Sequence, residues 1–199
     1  MKKNFLYLAS QSPRRAEILR RLKIPFRIIP SDYEEIHPKN SKERPAALVL
    51  RHAKGKALLA KVPYLKSTRK PLVLGADTLV YFRGRILGKP ASYTAAEKLL
   101  MEMSGKTHEV YTGVALLDPG SGRVFSGYEK SRVRFHSWER EKIKKYVKDI
   151  DALDKAGSYA IQMKPCIVKS FTGSRTNIVG LPQELLLKLL KKAGTKSAA

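Results

Sequence analysis

The chain has 199 residues, 43% of them hydrophobic, which suits one globular domain with a substantial core. Its 40 Lys and Arg against 17 Asp and Glu give a net charge of +23, which favours anionic substrates or polyanions but also fits a basic, merely solvated surface. A single cysteine, Cys166, excludes an intrachain disulfide, and the sequence shows neither a secretory signal nor a bilayer-length apolar run, so a cytoplasmic protein is expected.

The first elements are predicted to be a strand that runs directly into a helix. Residues 6–9 are apolar, Ser12 is the expected N-cap and Pro13 the first helical residue. Arg14 and Arg15 then occupy the first turn, where the positive end of the helix dipole disfavours cations. Free N–H groups beside two guanidiniums suit a phosphate, so the pattern indicates an anion site. The alternative is that both side chains lie in solvent or pair with an acid.

A second strand and a long helix follow. Residues 26–36 predict a short strand entering a polar loop with Glu34 and Glu35, two acids that could bind Mg²⁺ or Mn²⁺ or simply lie on the surface. Residues 43–62 have helical periodicity and one apolar face. The members of that face are Leu48, Val49, Ala53, Ala57 and Leu58.

The next apolar stretch contains a buried acid. Residues 71–82 form an apolar run that breaks at Gly75 and Asp77, as expected for a buried strand interrupted by a site. A carboxylate in apolar surroundings needs a partner, which a divalent metal, a lysine or a catalytic water would supply; a turn aspartate bonded to nearby backbone is the alternative. Arg83 and Gly84 predict a hairpin, and Lys89 beyond it is, by itself, typical of a solvated loop.

The second half is predicted to be richer in hairpins. A helix over residues 93–105 precedes two strands joined by the "PGSG" turn at 119–122. A further helix is expected to be N-capped by Ser137, and the Leu-rich helix of residues 181–194 closes the fold as a core or dimer helix, not a membrane element. Together these elements predict an α/β fold with a mixed sheet flanked by helices.

Several common catalytic patterns are missing from the sequence. It contains no Walker A motif, no GxGxxG, no CxxC pair and no GxSxG elbow. The histidines lack metal-ligand spacing, so each is interpreted as a surface or core residue. They are His37, His52, His108 and His136.

Five stretches taken in order resemble the successive signature segments of the Maf family of nucleoside triphosphate pyrophosphatases. They are "LASQSPRR", "GADT", "GKP", "LDKAGSYAIQ" and "NIVGLP". The resemblance covers nearly the whole chain. It implies a single domain over residues 1–194 with two lobes around a central cleft, related to inosine triphosphate pyrophosphatases and usually homodimeric, and a disordered tail over 195–199.

The same resemblance implies hydrolysis of a nucleoside triphosphate to the monophosphate and diphosphate, with a divalent cation such as Mg²⁺, Mn²⁺ or Co²⁺. Ser10, Arg14 and Arg15 match the phosphate-binding signature, and Lys89 and Gln162 complete the substrate-binding set. Lys89 is also expected to assist catalysis by neutralising the triphosphate.

Three further residues are implied to carry the chemistry. Asp77 matches the proton acceptor and is a possible second metal ligand. Glu35 matches the metal-binding acid, with Glu34 as an equally acidic neighbour. Lys56 matches a catalytic lysine on the helix, with Lys54 as the nearby alternative.

The base preference rests on the segment around Gln162. Tyr159, Ile161 and Gln162 favour the dTTP/UTP branch of the family, whereas Ala160 and the "MKP" of residues 163–165 replace expected glycines and other residues. The alternative is the branch that resembles 7-methyl-GTP pyrophosphatases. We therefore expect a house-cleaning dTTP/UTP pyrophosphatase.

A non-catalytic protein that binds nucleotides or nucleic acid remains a further alternative. The charge of +23 favours it, but aromatic residues make up only 8% of the chain and are not interleaved with a basic run. Nucleic-acid binding is therefore possible but not favoured from the sequence.

Overall fold

The structure is a computed structural model that describes residues 5–36, 43–63, 71–150 and 152–194. The expected tail over 195–199 and His37 lie outside these ranges. The strands are β1 (Leu6–Leu8), β2 (Phe26–Ile28), β3 (Leu72–Phe82), β4 (Arg85–Leu87), β5 (Thr107–Leu117), β6 (Val124–Phe135) and β7 (Val168–Thr172). The helices are α1 (Pro13–Arg21), α2 (Pro45–Leu58), α3 (Tyr93–Met103), α4 (Arg140–Asp149), α5 (Arg175–Val179) and α6 (Gln183–Gly194), and short 3₁₀ turns span Ala152–Asp154 and Ala156–Ser158.

The strands form one mixed sheet in the order β2-β1-β3-β5-β6-β7, with β4 also paired to β3. The pairs β2–β1 and β1–β3 are parallel, whereas β3, β5, β6 and β7 are antiparallel neighbours. The predicted α/β fold with a mixed sheet is confirmed. The division into two lobes stays a prediction.

A gap in strand pairing along β3 creates the place for a site. On the edge of β3 that faces away from β5, β1 pairs with Leu72–Leu74 and β4 pairs only from Val80 onward. Within the described ranges no strand covers the edge at residues 75–79. Asp77 and Thr78 lie in this gap, so their side chains and backbone can face a cavity without breaking the core.

Helix α2 packs unusually close to one face of the sheet. A Cβ atom at Gly75 would lie 2.1 Å from the carbonyl oxygen of Ala53, and one at Gly113 would lie 2.3 Å from that of Val49. Real side chains do not approach so closely, hence the glycines allow the helix backbone to touch the sheet. This contact brings α2 side chains within hydrogen-bond reach of Asp77.

The opposite face of the sheet carries the larger core clusters. Helices α1 and α6 cover one end, where Leu19 and Leu186 pack against Leu74. Helices α3 and α4 cover the other end, where Leu100 and Ile143 belong to the same cluster. None of the helices in the described part of the chain combines the length and apolar character needed to cross a membrane.

The strand predicted over residues 71–82 is confirmed as β3, which runs without interruption through Gly75 and Asp77. Two local predictions were wrong. Leu58, predicted on the buried face of α2, is 55% exposed because it lies one residue past Ala57 and therefore turns away from the sheet.

Helix α4 starts at Arg140 with Glu139 as its N-cap, not at the predicted cap Ser137. The hydroxyl of Ser104 accepts from the amide of Trp138 at 2.8 Å and donates to its carbonyl at 2.9 Å. These bonds hold the backbone ahead of the helix to the end of α3, so the helix begins later.

Candidate active site

One cavity of about 620 Å³ opens at the gap along β3. Its walls come from the β1–α1 turn, the loop after β2, helix α2, strand β3, the loop after β4 and the segment 154–162. All eight site residues expected from the sequence line it. They are Ser10, Arg14, Arg15, Glu35, Lys56, Asp77, Lys89 and Gln162.

Asp77 is the buried acid of this cavity, with 7% of its surface exposed. The Lys56 ammonium donates to Oδ1 at 2.8 Å, and His52 Nδ1 lies 3.0 Å from Oδ2. Lys56 also contacts Glu35 Oε1 at 2.6 Å, so its ammonium bridges two carboxylates. The partner that the sequence required for Asp77 is therefore a lysine, joined by a histidine.

The surroundings of Asp77 keep it ionised. Burial by itself raises the pKa of this carboxyl, but the hydrogen bond from His52 and the charges of Lys56 and Arg15 outweigh burial and hold the pKa below its usual value. A carboxylate can only accept, so His52 Nδ1 carries the proton and donates it to Oδ2. At neutral pH the cavity therefore holds a negatively charged, fully oriented proton acceptor.

His52 was not anticipated as a site residue. As the sequence predicted for a core histidine, it is buried, but it also faces Asp77. It precedes Lys56 by four residues on α2, which puts both side chains on one helix face, and this spacing could have identified it. Lys54, the alternative to Lys56, does not line the cavity, and Glu34, the alternative to Glu35, does not either.

A divalent cation fits the donors around Asp77. Ligand atoms of Glu35, His52 and Asp77 lie within 4.8 Å of one another, and the set offers two carboxylates and one imidazole nitrogen. Carboxylate oxygens suit Mg²⁺ and Mn²⁺, whereas His52 Nδ1 already donates to Asp77 and is not free to act as a ligand in this arrangement. The Lys56 ammonium between the two acids indicates that a positive charge is favourable at this point.

Arg15 is built into the wall of the cavity. Its guanidinium donates to Ser10 Oγ at 2.8 Å, to the Gly180 carbonyl at 2.9 Å and to Thr78 Oγ1 at 3.2 Å. Burial lowers its pKa, although the charges of Asp77 and Glu35 oppose that shift. Gly180 belongs to the "NIVGLP" stretch, so this motif contributes by fixing Arg15.

Arg14 points to the other side of the cavity and meets Lys89 through a shared acid. Arg14 Nη1 lies 3.3 Å from Asp154 Oδ2, and Lys89 Nζ lies 2.8 Å from Asp154 Oδ1. The hydrogen bond from Lys89 is the main reason that the pKa of Asp154 is lowered, with the charges of Lys89 and Arg14 adding to it against burial. Asp154 belongs to the "LDKAGSYAIQ" stretch, but the sequence assigned it no role, because its partners are distant in sequence.

The remaining wall is apolar and lies beyond the charged groups. Tyr159, Ala160 and Ile161 line it, next to Gln162, whose side chain is exposed to the cavity. The Tyr146 hydroxyl accepts from the amide of Ala160 at 3.1 Å and donates to its carbonyl at 3.3 Å. These two bonds fix the backbone of Ala160 against helix α4.

Beneath this wall, His108 makes the stability of the protein sensitive to acid. Its Nε2 atom lies 3.0 Å from the Tyr159 hydroxyl, and burial lowers the pKa of His108 to about 3. The unfolded histidine titrates near pH 6.5, so between pH 6.5 and 3 only the unfolded chain takes up the proton. The contribution of His108 to the free energy of unfolding is therefore most favourable above pH 6.5, and it decreases as the pH falls toward 3.

We therefore expect the free energy of unfolding to fall by up to about 1.4 kcal/mol per pH unit in this window because of His108. Urea unfolding at pH 7, 6, 5 and 4 measures this effect. The free energy of unfolding of the His108→Gln variant should change less with pH than that of the original chain. The exposed His136→Gln is the matched control and should leave the slope unchanged. Equal slopes in all three proteins would contradict this role of His108.

The family of the chain is decided by comparison with known proteins. A family model described as "Maf-like protein" matches residues 5–193. The chain belongs to the Maf-like protein family. The match spans every strand and helix named above except the last residue of α6, so the cavity of this Maf-like chain lies within the family domain and not in an appended segment.

Individual relatives of this Maf-like chain are similar over nearly their full lengths. A protein of Ruminiclostridium cellulolyticum is 42% identical over 96% of this chain and 97% of its own length. A protein of Pelotomaculum thermopropionicum is 38% identical over 95% of this chain and 96% of its own length. A protein of Bacillus cereus is 42% identical over 94% of this chain and 94% of its own length. Each of the three is named a dTTP/UTP pyrophosphatase. The Staphylococcus aureus Ham1 structure is 13% identical with a TM-score of 0.37 over 67% of this chain and 72% of that one, a likeness too distant to carry an argument.

Proposed function

We propose that this Maf-like chain is a nucleoside triphosphate pyrophosphatase that hydrolyses dTTP and UTP to the monophosphate and diphosphate. The observation that carries the proposal is a cavity that brings several cationic side chains together with the buried, ionised carboxylate of Asp77. The cations include Arg14, Arg15, Lys56 and Lys89. The names of the relatives support the same substrates for this chain.

The cations suit a triphosphate because each can neutralise part of its charge. Arg14 and Lys89 lie on one side of the cavity and now share Asp154, whereas Arg15 lies on the other side with Ser10. A phosphate group can replace Asp154 as the acceptor for Arg14 and Lys89. These two residues then stabilise the charge that develops on the departing diphosphate.

Asp77 is the group proposed to activate water. Its low pKa makes it a weak base, so it orients the water first and accepts its proton as the new bond to the α-phosphorus forms. The water oxygen attaches to the α-phosphorus, and the bond from that phosphorus to the bridging oxygen of the diphosphate breaks. Lys56 and His52 hold the two carboxylate oxygens in place during this step.

Glu35 and Asp77 would hold a divalent cation such as Mg²⁺, Mn²⁺ or Co²⁺, while His52 keeps its hydrogen bond to Asp77. A cation bound there would polarise phosphate oxygens and neutralise their charge. Glu35 is exposed, whereas Asp77 is buried, so Glu35 can adjust its position to the ligand.

The pyrimidine preference is proposed from the apolar wall. Tyr159 and Ile161 offer flat and apolar contacts, and Gln162 offers one donor and one acceptor to the edge of a base. The departures at residues 163–165 keep 7-methyl-GTP as the alternative substrate of the same family.

A panel of nucleotides tests the proposal. Purified protein with Mg²⁺, Mn²⁺ or Co²⁺ is incubated with dTTP, UTP, CTP, dGTP and 7-methyl-GTP, and diphosphate release is measured with an excess of chelator as the control. We expect turnover of dTTP and UTP that is lost on chelation. Turnover of 7-methyl-GTP alone would favour the alternative branch, and no turnover of any nucleotide would reject the enzyme.

The oligomeric state and the cellular compartment of the protein belong to the same proposal. We expect a homodimer in the cytoplasm, as in the family that the motifs resemble. Size-exclusion chromatography with light scattering measures the assembly state directly, and a monomer at micromolar concentration would contradict it.

A further inference from the structure

The face of the sheet that carries Asp77 continues past helix α2 onto an exposed surface. Residues directly opposite each other on neighbouring strands point to the same face. Three rows of such residues cross β3, β5 and β6 in that order. The first row is Asp77, Gly113 and Tyr128. The second is Leu79, Tyr111 and Lys130, and the third is Tyr81, Glu109 and Arg132. The first turns of α2 cover Leu79, because Leu48 and Val49 share a core cluster with it. Helix α2 thus lies between the cavity and the tyrosines.

Three tyrosines, one from each of these rows, lie along a diagonal across the strands of this face. The ring centroids of Tyr81 and Tyr111 are 6.5 Å apart, and those of Tyr111 and Tyr128 are 6.3 Å apart. Tyr128 is 47% exposed, whereas Tyr81 and Tyr111 are half-buried and meet edge to face. Such rings offer flat surfaces on which further aromatic rings can stack.

Cations alternate with buried residues along the same strand. Lys130, Arg132 and Arg134 are exposed, whereas Ser131 and Val133 between them are buried, so all three cations project from the tyrosine face. Glu109 is the acid opposite them, 3.4 Å from Lys130 and 3.6 Å from Arg132. Three cations against one acid leave this face positive within the described ranges.

Tyrosine rings beside evenly spaced cations suit single-stranded nucleic acid. Alternate residues of a strand are ~6.8 Å apart, close to the separation of successive phosphates in an extended single strand. Unpaired bases stack on exposed aromatic rings, while the phosphates contact Lys and Arg. A second copy of this chain fits less well, because a two-fold contact through this face would oppose like charges.

We propose that this tyrosine-basic face, defined by Tyr81, Tyr111, Tyr128, Lys130, Arg132 and Arg134, binds single-stranded nucleic acid. The bases stack on the tyrosines, and the three cations contact phosphates. The sequence did not favour this function because its aromatic residues are not interleaved with a basic run. Pairing of β3, β5 and β6 supplies that interleaving in space. The proposal is independent of the hydrolytic activity, since none of these residues lines the cavity.

Fluorescence anisotropy with labelled 20-mers of oligo-dT and oligo-U, and with a duplex of equal length, tests the proposal at several salt concentrations. We expect both single strands to bind more tightly than the duplex. Tyr128→Ala should weaken single-strand binding at least about fivefold without changing the net charge. Tyr93→Ala on α3 is the matched control, because Tyr93 is 51% exposed, and it should change nothing.

A pair of triple variants separates this face from the general positive charge. The combined Lys130→Gln, Arg132→Gln and Arg134→Gln change should reduce the slope of log affinity against log salt by about 2, as expected when three phosphate contacts are lost. The control replaces Lys144, Lys145 and Lys148 on α4, which are exposed on the opposite side of the sheet, and should change the slope less.

Equal effects of the two triple variants, or unchanged binding by Tyr128→Ala, would overturn the proposal in favour of diffuse charge attraction. A loss of dimers in Tyr128→Ala without a loss of nucleic-acid affinity would assign the face to self-association instead. Nucleotide hydrolysis by each variant should equal that of the original chain and serves as the check that it is folded.

Discussion

Replacing Asp77 by asparagine should lower turnover of dTTP by about 10²- to 10⁴-fold, the usual contribution of a positioned general base. The amide has nearly the same shape, so it still fills the space between His52 and Lys56. It carries no charge and cannot take a proton from water. Lys56 keeps its contact with Glu35 at 2.6 Å, which limits the disturbance of the cavity.

The measurement is initial-rate kinetics on the variant, together with calorimetric binding of a non-hydrolysable triphosphate analogue. We expect the rate to collapse while binding of the analogue survives. Asp118→Asn, in the exposed turn between β5 and β6, is the control and should retain full activity. A fully active Asp77→Asn enzyme would remove Asp77 from the chemistry.

The two arginines of the first helical turn should behave differently when each is replaced by alanine. Arg15 is 9% exposed and donates hydrogen bonds to Ser10, Thr78 and Gly180. Its removal deletes three buried hydrogen bonds and opens a cavity, so we expect a loss of about 3 kcal/mol of stability. In a domain of this size that corresponds to a fall of about 6–12 °C in Tm.

Arg14 is the matched comparison, because it lies in the same turn and carries the same charge. Its contact with Asp154 is partly exposed, and such pairs contribute about 1 kcal/mol or less. Removing a cation from a helix N-terminus also returns a few tenths of a kcal/mol. Arg14→Ala should therefore leave Tm nearly unchanged.

Both arginine variants should raise KM for dTTP, because each removes a charged donor to phosphate, which is typically worth about 10- to 100-fold in binding. Calorimetric Tm values and steady-state kinetics give the two readouts. Arg15→Lys separates charge from geometry, since it retains the charge but loses the planar fork. An unchanged Tm in Arg15→Ala would show that its three hydrogen bonds do not stabilise the fold.

The elements best predicted from the sequence are those with local signals. The β5–β6 hairpin was expected because the "PGSG" turn separates two stretches that were predicted to be strands, and α1 was expected to begin at Pro13. Strand β7 was not predicted, since four of its five residues are exposed and show no apolar alternation. It forms because β6 offers it a partner, which is information from distant sequence.

The candidate site shows the same limit. Motif resemblance placed eight residues in one cavity, but no motif gives the distances among them. Asp154 lies 140 residues from Arg14, and Thr78 lies 63 residues from Arg15. Contacts of this kind depend on how the strands pair. They also show that Arg15, which breaks the rule for charges at a helix start, is stabilised by acceptors that the helix itself does not contain.

The gap along β3 has a mechanical consequence. Among the described strands, β3 alone joins the parallel pair β1–β2 to the antiparallel strands, and residues 75–79 are held on one edge only. Ser10 and Arg15 follow β1, whereas Lys89 follows β4, so the two ends of the gap carry opposite walls of the cavity. A ligand that touches both walls bridges the gap where strand pairing does not. Nucleotide binding would then add a second connection between the two walls, beside the one that Asp154 makes between Arg14 and Lys89.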